Sequence, residues 1–123
     1  RTSAVRDGDE WVINGHKWFA SNASVADFTL LFAITDPDAA PHQRASMLVV
    51  PRGTPGMTVV RDVGSMSHPH ASEPGHLYDR IGGHSEVLYE DCRVPLDHMI
   101  GEPGEGFVLS QKRLGGGRIH HAM

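Results

Sequence analysis

Apolar and polar residues alternate along most of the chain with the two-residue period of a half-buried strand, and the period changes once, near the C-terminal end. The opening stretch TSAVRDGDEWVINGHKWFA predicts two hairpins in succession, with Asp7-Gly8 and Asn14-Gly15 as the turn pairs because both suit positive φ. ADFTLLFAIT, residues 26–35, is a long apolar run. Its Phe, Thr and Ile content and the Asp36-Pro37-Asp38 turn after it predict a strand buried on both faces. ASMLVVPRG (45–53) predicts a strand ending at Pro51, and GMTVVRDV (56–63) one that follows the Thr54-Pro55-Gly56 turn. Residues 64–83 have no period and predict a loop of the length that is usually functional or mobile. HSEVLYEDCRVP (84–95) resumes alternation, with Val87, Tyr89 and Asp91 on one face and Glu86, Leu88 and Glu90 on the other.

From Gly104 the spacing turns helical, with Phe107, Gln111, Leu114 and Arg118 in register. Gly115, Gly116 and Gly117 interrupt it, each costing about 1 kcal/mol relative to Ala, and taken alone they would end the helix at Leu114. A helix that tolerates them is expected to pack closely against another backbone. Six to eight short strands followed by one helix, without internal repeats, fit a β-barrel or a two-sheet sandwich.

Composition narrows the function classes. The chain has 123 residues, the size of one domain, and a formal charge of −4. No basic run exceeds two residues, which excludes a nucleic-acid footprint of the usual kind. No apolar stretch approaches the roughly 20 residues of a helical membrane span. The single cysteine, Cys92, has no internal disulfide partner and reads as a buried thiol in a reducing compartment. The chain starts at Arg1 in strand-like sequence and stops at Met123 in helix-like sequence, so a piece of a longer protein is expected.

The chemistry legible without comparison is sparse. GEPGEG (101–106) lacks the spacing of a dinucleotide fingerprint and reads as a loop and helix start. His68, His70, His76 and His84 read as exposed loop histidines, because zinc sites favour closer pairs on regular structure, and no metal is expected. Glu90 and Asp91, adjacent on a strand, face opposite ways and do not form an acid/base pair. By these residues alone the chain is a β-rich domain with a terminal helix.

Five stretches in order, INGHKWFASNA, TDPD, EVLYEDCRVP, MIGEPGEGF and QKRLGGGRIHHAM, resemble the acyl-CoA dehydrogenase family of flavoproteins. The resemblance implies the family's middle-domain β-barrel, two packed and steeply crossing antiparallel sheets, over residues 1–103. Residues 104–123 are then the first helix of a helical C-terminal domain. It implies an FAD-dependent parent that forms a trans-2,3-double bond in acyl-CoA thioesters and passes electrons to an electron-transfer flavoprotein, as a homodimer or homotetramer. The location implied is cytoplasmic, or mitochondrial in a eukaryote, rather than secreted. The catalytic carboxylate and most FAD contacts belong to other parts of such a parent. This chain alone is therefore expected to be inactive and to bind FAD weakly or not at all.

The same resemblance implies that Phe19, Ala20 and Ser21 form the flavin-binding stretch, Phe19 lying against the ring and the Ser21 hydroxyl bonding near N5. Since residues i and i+2 share a strand face, Phe19 and Ser21 are expected on one side, with Trp18 packed into the barrel on the other beside Ala20. Thr35 and Arg118 match positions near the acyl-CoA, and Gly115 stands where some relatives carry a substrate-binding aspartate. The alternatives are a flavin monooxygenase or nitroalkane-oxidase-like enzyme on the same scaffold, or a β-barrel module that binds a ligand and catalyses nothing.

Overall fold

The computed structural model describes residues 1–66, 69–71, 73, 75 and 82–122, leaving aside the side chains of Ile119 and His121. The elements are β1 (Thr2–Asp7), β2 (Glu10–Ser21), β3 (Phe28–Ile34), β4 (Ala45–Pro51), β5 (Met57–Val63), β6 (His84–Pro95), a single 3-10 turn (Leu96–His98), β7 (Met99–Ile100) and the helix α1 (Gly106–Ala122). The strands form one seven-stranded sheet in the order β5-β6-β2-β1-β3-β4-β7. All neighbours are antiparallel except β1 and β3, joined in parallel where Ser3 lies opposite Ile34.

That short parallel contact makes the two expected layers continuous, and the sheet curls over on itself. β6 and β3 have two strands between them, which in a flat sheet would hold them about 14 Å apart. Yet Thr29 Oγ1 on β3 lies 3.3 Å from Tyr89 OH on β6. The concave side holds the core, with Ile13, Leu48, Val50, Val87, Cys92 and Val94 almost wholly out of solvent. Among the described residues the sheet supplies nearly all of this core and α1 none of it, as in a barrel.

Three local expectations change. The first is the second hairpin. β2 runs unbroken for 12 residues through Asn14-Gly15, and only Gly8-Asp9 forms a hairpin turn, between Asp7 and Glu10. Asn14-Gly15 is a kink instead, where the β2–β6 register shifts. Gly15 has φ +149, and a Cβ there would come within 2.5 Å of Thr2 Cα, so the glycine serves a close backbone approach. Asn14 Nδ2 donates to Asp91 Oδ1 (3.0 Å) and its Oδ1 accepts from the Asp91 N–H (2.8 Å). Asp91 itself has φ +48. This same irregularity inverts the parity of β6, so that Val87 and Tyr89 point inward, but so do Cys92 and Val94, and Asp91 is exposed.

The second change concerns β3, which is buried on one face only. Leu31 and Ala33 are in the core, whereas Phe28, Leu30 and Phe32 are exposed, as is Val5 on the adjoining β1. The third concerns α1. It does not end at Leu114 but continues through Gly115, Gly116 and Gly117, and a Cβ at any of the three would meet no atom within 4 Å. The expected backbone partner is not among the described residues.

The start of the helix is well seated. A Cβ on Gly106 would lie 2.8 Å from the Ala45 carbonyl oxygen, and the Phe107 ring stacks on His42 with centroids 4.2 Å apart. Gly104 N–H donates to Ser46 Oγ (2.9 Å), which ties the GEPGEG loop to β4. Among the described residues no helix is long and apolar enough to cross a membrane.

Candidate functional site

The feature that sets the site is a β-bulge at Trp18-Phe19. β2 pairs Lys17 with Val87 and then Ala20 with Ser85, so two residues on β2 lie where β6 spends one step. Phe19 has φ +60, a conformation that costs a residue with a Cβ about 1–2 kcal/mol. Such strain in an aromatic residue points to function rather than to packing. Because of the bulge the i, i+2 rule fails across it. The expected packing of Trp18 in the barrel is not observed: it shares the exposed side of β2 with His16 and is 46% exposed, and the bulge brings Phe19, 50% exposed, to that same side. Their rings meet edge to face with centroids 5.9 Å apart. Both aromatics project on the convex side, while Ala20 packs against the core.

Each ring has its own setting. His16 meets the Trp18 ring edge to face at 5.8 Å, and the Arg61 guanidinium lies over it at 5.3 Å. Glu86 accepts from Arg61 Nε (2.9 Å) and pairs with His16 Nε2 (2.9 Å). Phe19 instead meets His84, with centroids 6.3 Å apart and planes at 74°. His84 Nδ1 is also 3.1 Å from the Ser21 hydroxyl. Beyond the bulge the Asn22 N–H donates to the Gly83 carbonyl (2.7 Å), so the end of β2 is held by the start of β6. A hollow of about 210 Å³ adjoins this corner, lined by Asn22, Val63, Ser65, Ala71, Gly82, Gly83 and His84. It is smaller than a usual ligand pocket of about 300–1,000 Å³.

On the other side of the bulge, Lys17 donates from Nζ to the Phe32 carbonyl oxygen (2.6 Å). Burial lowers the pKa of this amine below its ordinary value.

Phe19, Ala20 and Ser21 are thus brought together, and only Phe19 and Ser21 carry groups turned away from the core. Thr35 is set apart. Its hydroxyl is 2.7 Å from Ser46 Oγ, the same oxygen that receives Gly104 N–H, so it holds the loop before α1. Thr35 also borders an apolar hollow of about 290 Å³ with Val5, Ile34 and Pro37. Arg118 lies on the exposed part of α1, where Nη1 donates to Gln111 Oε1 (2.5 Å).

Sequence reasoning missed His84, grouped there with the loop histidines. It is the first residue of β6, and its pairing with Ser21 sets it beside the bulge. His70 pairs with Glu73 at 2.7 Å, and His68 and His76 lie outside the described residues. Among the described residues no group of three or more His, Cys, Asp or Glu could hold a metal ion.

Comparison with known proteins adds a family. Residues 1–78 match the family model for the acyl-CoA dehydrogenase middle domain. The chain is 44% identical to the probable acyl-CoA dehydrogenase FadE2 of Mycobacterium tuberculosis, over 99% of this chain and 28% of that protein. It is 43% identical to acyl-CoA dehydrogenase family member 10 of Mus musculus, over 92% of this chain and 10% of that protein. A solved acyl-CoA dehydrogenase from Geobacillus kaustophilus superposes with a TM-score of 0.75 at 36% identity, covering 92% of this chain and 27% of that one. The chain therefore spans little more than a quarter, or less, of these proteins.

Proposed function

The chain belongs to the acyl-CoA dehydrogenase family and corresponds to its middle domain, and from that premise we propose that it forms one wall of the flavin and acyl-CoA site of an FAD-dependent dehydrogenase. The observation that carries this reading is the bulge that holds Phe19 at φ +60 and half exposed beside the Ser21 hydroxyl. A flat aromatic face next to a hydroxyl fits one side of an isoalloxazine, which offers a π-surface and ring-edge acceptors.

The chemistry that a bound flavin supplies is acceptance of a hydride equivalent. The work assigned to this chain is positional. Phe19 covers one side of the site and excludes water, with Trp18 and Arg61 widening the covered surface. Ser21 offers a hydroxyl toward the cofactor edge, where a preoriented donor stabilises negative charge as it develops. Arg118 is assigned to the acyl-CoA side through the family resemblance, and its exposed position on α1 leaves that open. Thr35 is assigned there less directly, through the loop it ties to β4.

In the proposed parent the base that removes the α-proton of the thioester comes from another part of the protein; among the described residues the contacts of Phe19 and Ser21 are with Trp18 and His84, not with a carboxylate. An electron-transfer flavoprotein takes the electrons, and the parent is a homo-oligomer.

The test uses the full-length parent. Phe19→Ala and Ser21→Ala are each expected to weaken FAD retention and slow flavin reduction by acyl-CoA about fivefold, for a loss of about 1 kcal/mol each. Wild-type flavin spectra and reduction rates in both variants would refute the assignment.

A further inference from the structure

Ser21 has one hydroxyl proton, and His84 competes for it. With centres 3.1 Å apart, Ser21 Oγ and His84 Nδ1 share one hydrogen bond, and its direction depends on which imidazole nitrogen carries the proton. If Nδ1 is bare, the serine donates to it and presents only lone pairs to a ligand. If Nδ1 carries the proton, it donates to Oγ, and the serine O–H is free to point outward.

His84 also lies edge-on to Phe19, and it is paired with Ser21 across the β2–β6 ladder at the last position before the strand ends. One side chain thus touches both groups that the bulge presents. Its neighbours on the same strands are already committed. Ser85 donates to Asp62 Oδ1 (2.6 Å), and the other Asp62 oxygen accepts from Ser24 (3.0 Å). Glu86 is taken by His16 and Arg61. Among the described residues Ser21 therefore has His84 as its side-chain partner, and none of these neighbouring groups competes for it.

We propose that His84 is the positioning residue of the site: it donates from Nδ1 to Ser21 Oγ and so turns the Ser21 hydroxyl proton toward the flavin edge, while its ring buttresses Phe19. This rests on the reading of Phe19 and Ser21 as a flavin wall. A serine without this partner would rotate among three staggered positions, and a ligand would have to select one.

The experiment uses the full-length holoenzyme and reads the flavin absorption spectrum and midpoint potential together with the rate of flavin reduction. His84→Leu removes the hydrogen bond, His84→Asn restores a donor near the same place, and both are also made in a Ser21→Ala background. H84L is expected to shift the spectrum and potential in the same sense as S21A and to slow reduction by about fivefold to tenfold. H84N is expected to recover most of both, and H84L to add little once Ser21 is gone.

Equal effects of H84L with and without the Ser21 hydroxyl would overturn the proposal, as would failure of H84N to recover either signal. If H84L is not recovered folded, His84→Asp takes its place: it accepts but cannot donate, and the part of its shift that persists in the S21A background measures its charge alone. A shift wholly persisting there refutes the proposal. If S21A and Phe19→Ala themselves leave the flavin unchanged, the flavin-wall reading fails first, which separates the two failures.

Discussion

Phe19 offers a sharp test of whether the bulge is strained for a purpose. At an ordinary strand position glycine is less stable than alanine by about 0.5–1 kcal/mol, because its unfolded chain is freer. At φ +60 the order reverses. Phe19→Ala keeps the Cβ and hence the strain, and also loses the half of the ring that is buried; half of the usual burial of a large apolar side chain is about 1 kcal/mol. Phe19→Gly loses the same area but removes a steric cost of about 1–2 kcal/mol.

Set against the extra chain entropy, F19G should be more stable than F19A by about 0.5–1 kcal/mol and close to wild type. In a domain of this size that difference is roughly 2–6 °C in Tm. Urea denaturation of the three proteins, with common m-values, gives the comparison directly. An F19A as stable as F19G would show that position 19 is not held in the left-handed region. The argument that strain marks the site would then fail, even if the ring still met a flavin.

Four other outcomes follow from the same geometry. Gly56→Ala should cost at least 3 kcal/mol in denaturation, because a Cβ there would collide with the Glu90 carbonyl oxygen at φ +84, whereas Gly8→Ala, at φ +60 in open space, should cost only about 1 kcal/mol. Thr35→Val removes the hydroxyl bonded to Ser46 and should cost about 1 kcal/mol and speed hydrogen exchange at the Gly104 amide; unchanged exchange would count against the tie between β4 and the loop. Trp18→Ala should destabilise by less than about 1.5 kcal/mol, since the ring is outside the core; a loss above 3 kcal/mol would restore the packed-ring expectation.

The last outcome is a pH dependence. Burial holds the Cys92 thiol above its ordinary 9.0, so the unfolded chain loses that proton first and stability falls as pH rises from about 9 toward the higher folded value. Tyr89, raised by burial above 10.0, adds to the fall from about pH 10. Lys17, lowered below 10.5, opposes it, because its destabilisation is greatest at low pH and is relieved as pH rises to about 10.5. Cys92→Ala isolates the thiol: whatever its own cost, its stability should decline less than wild type between pH 8.5 and 10, and parallel curves would refute this.

Strand and helix content, the order of the elements and the family were all legible in the sequence, because period-2 alternation, turn pairs and five motifs in register are local properties of the chain. The resemblance also pointed to Phe19 and Ser21, the two groups on which the proposed site rests. What tertiary structure decided is where parity breaks. Asn14-Gly15 looks like a hairpin turn, but the adjacent Thr2 backbone and the Asn14–Asp91 pairing make it a kink in a continuous strand. Trp18 and Phe19 look like opposite faces, but a bulge against β6 turns Phe19 outward beside the already exposed Trp18. His84 looks like a loop histidine until register places it against Ser21. Each of these depends on a partner between 13 and 77 positions away, from Gly15 and Thr2 to Asn14 and Asp91. A period read along one strand carries no record of the residue that its neighbour inserts or omits, and a single such residue exchanges the two faces for everything beyond it.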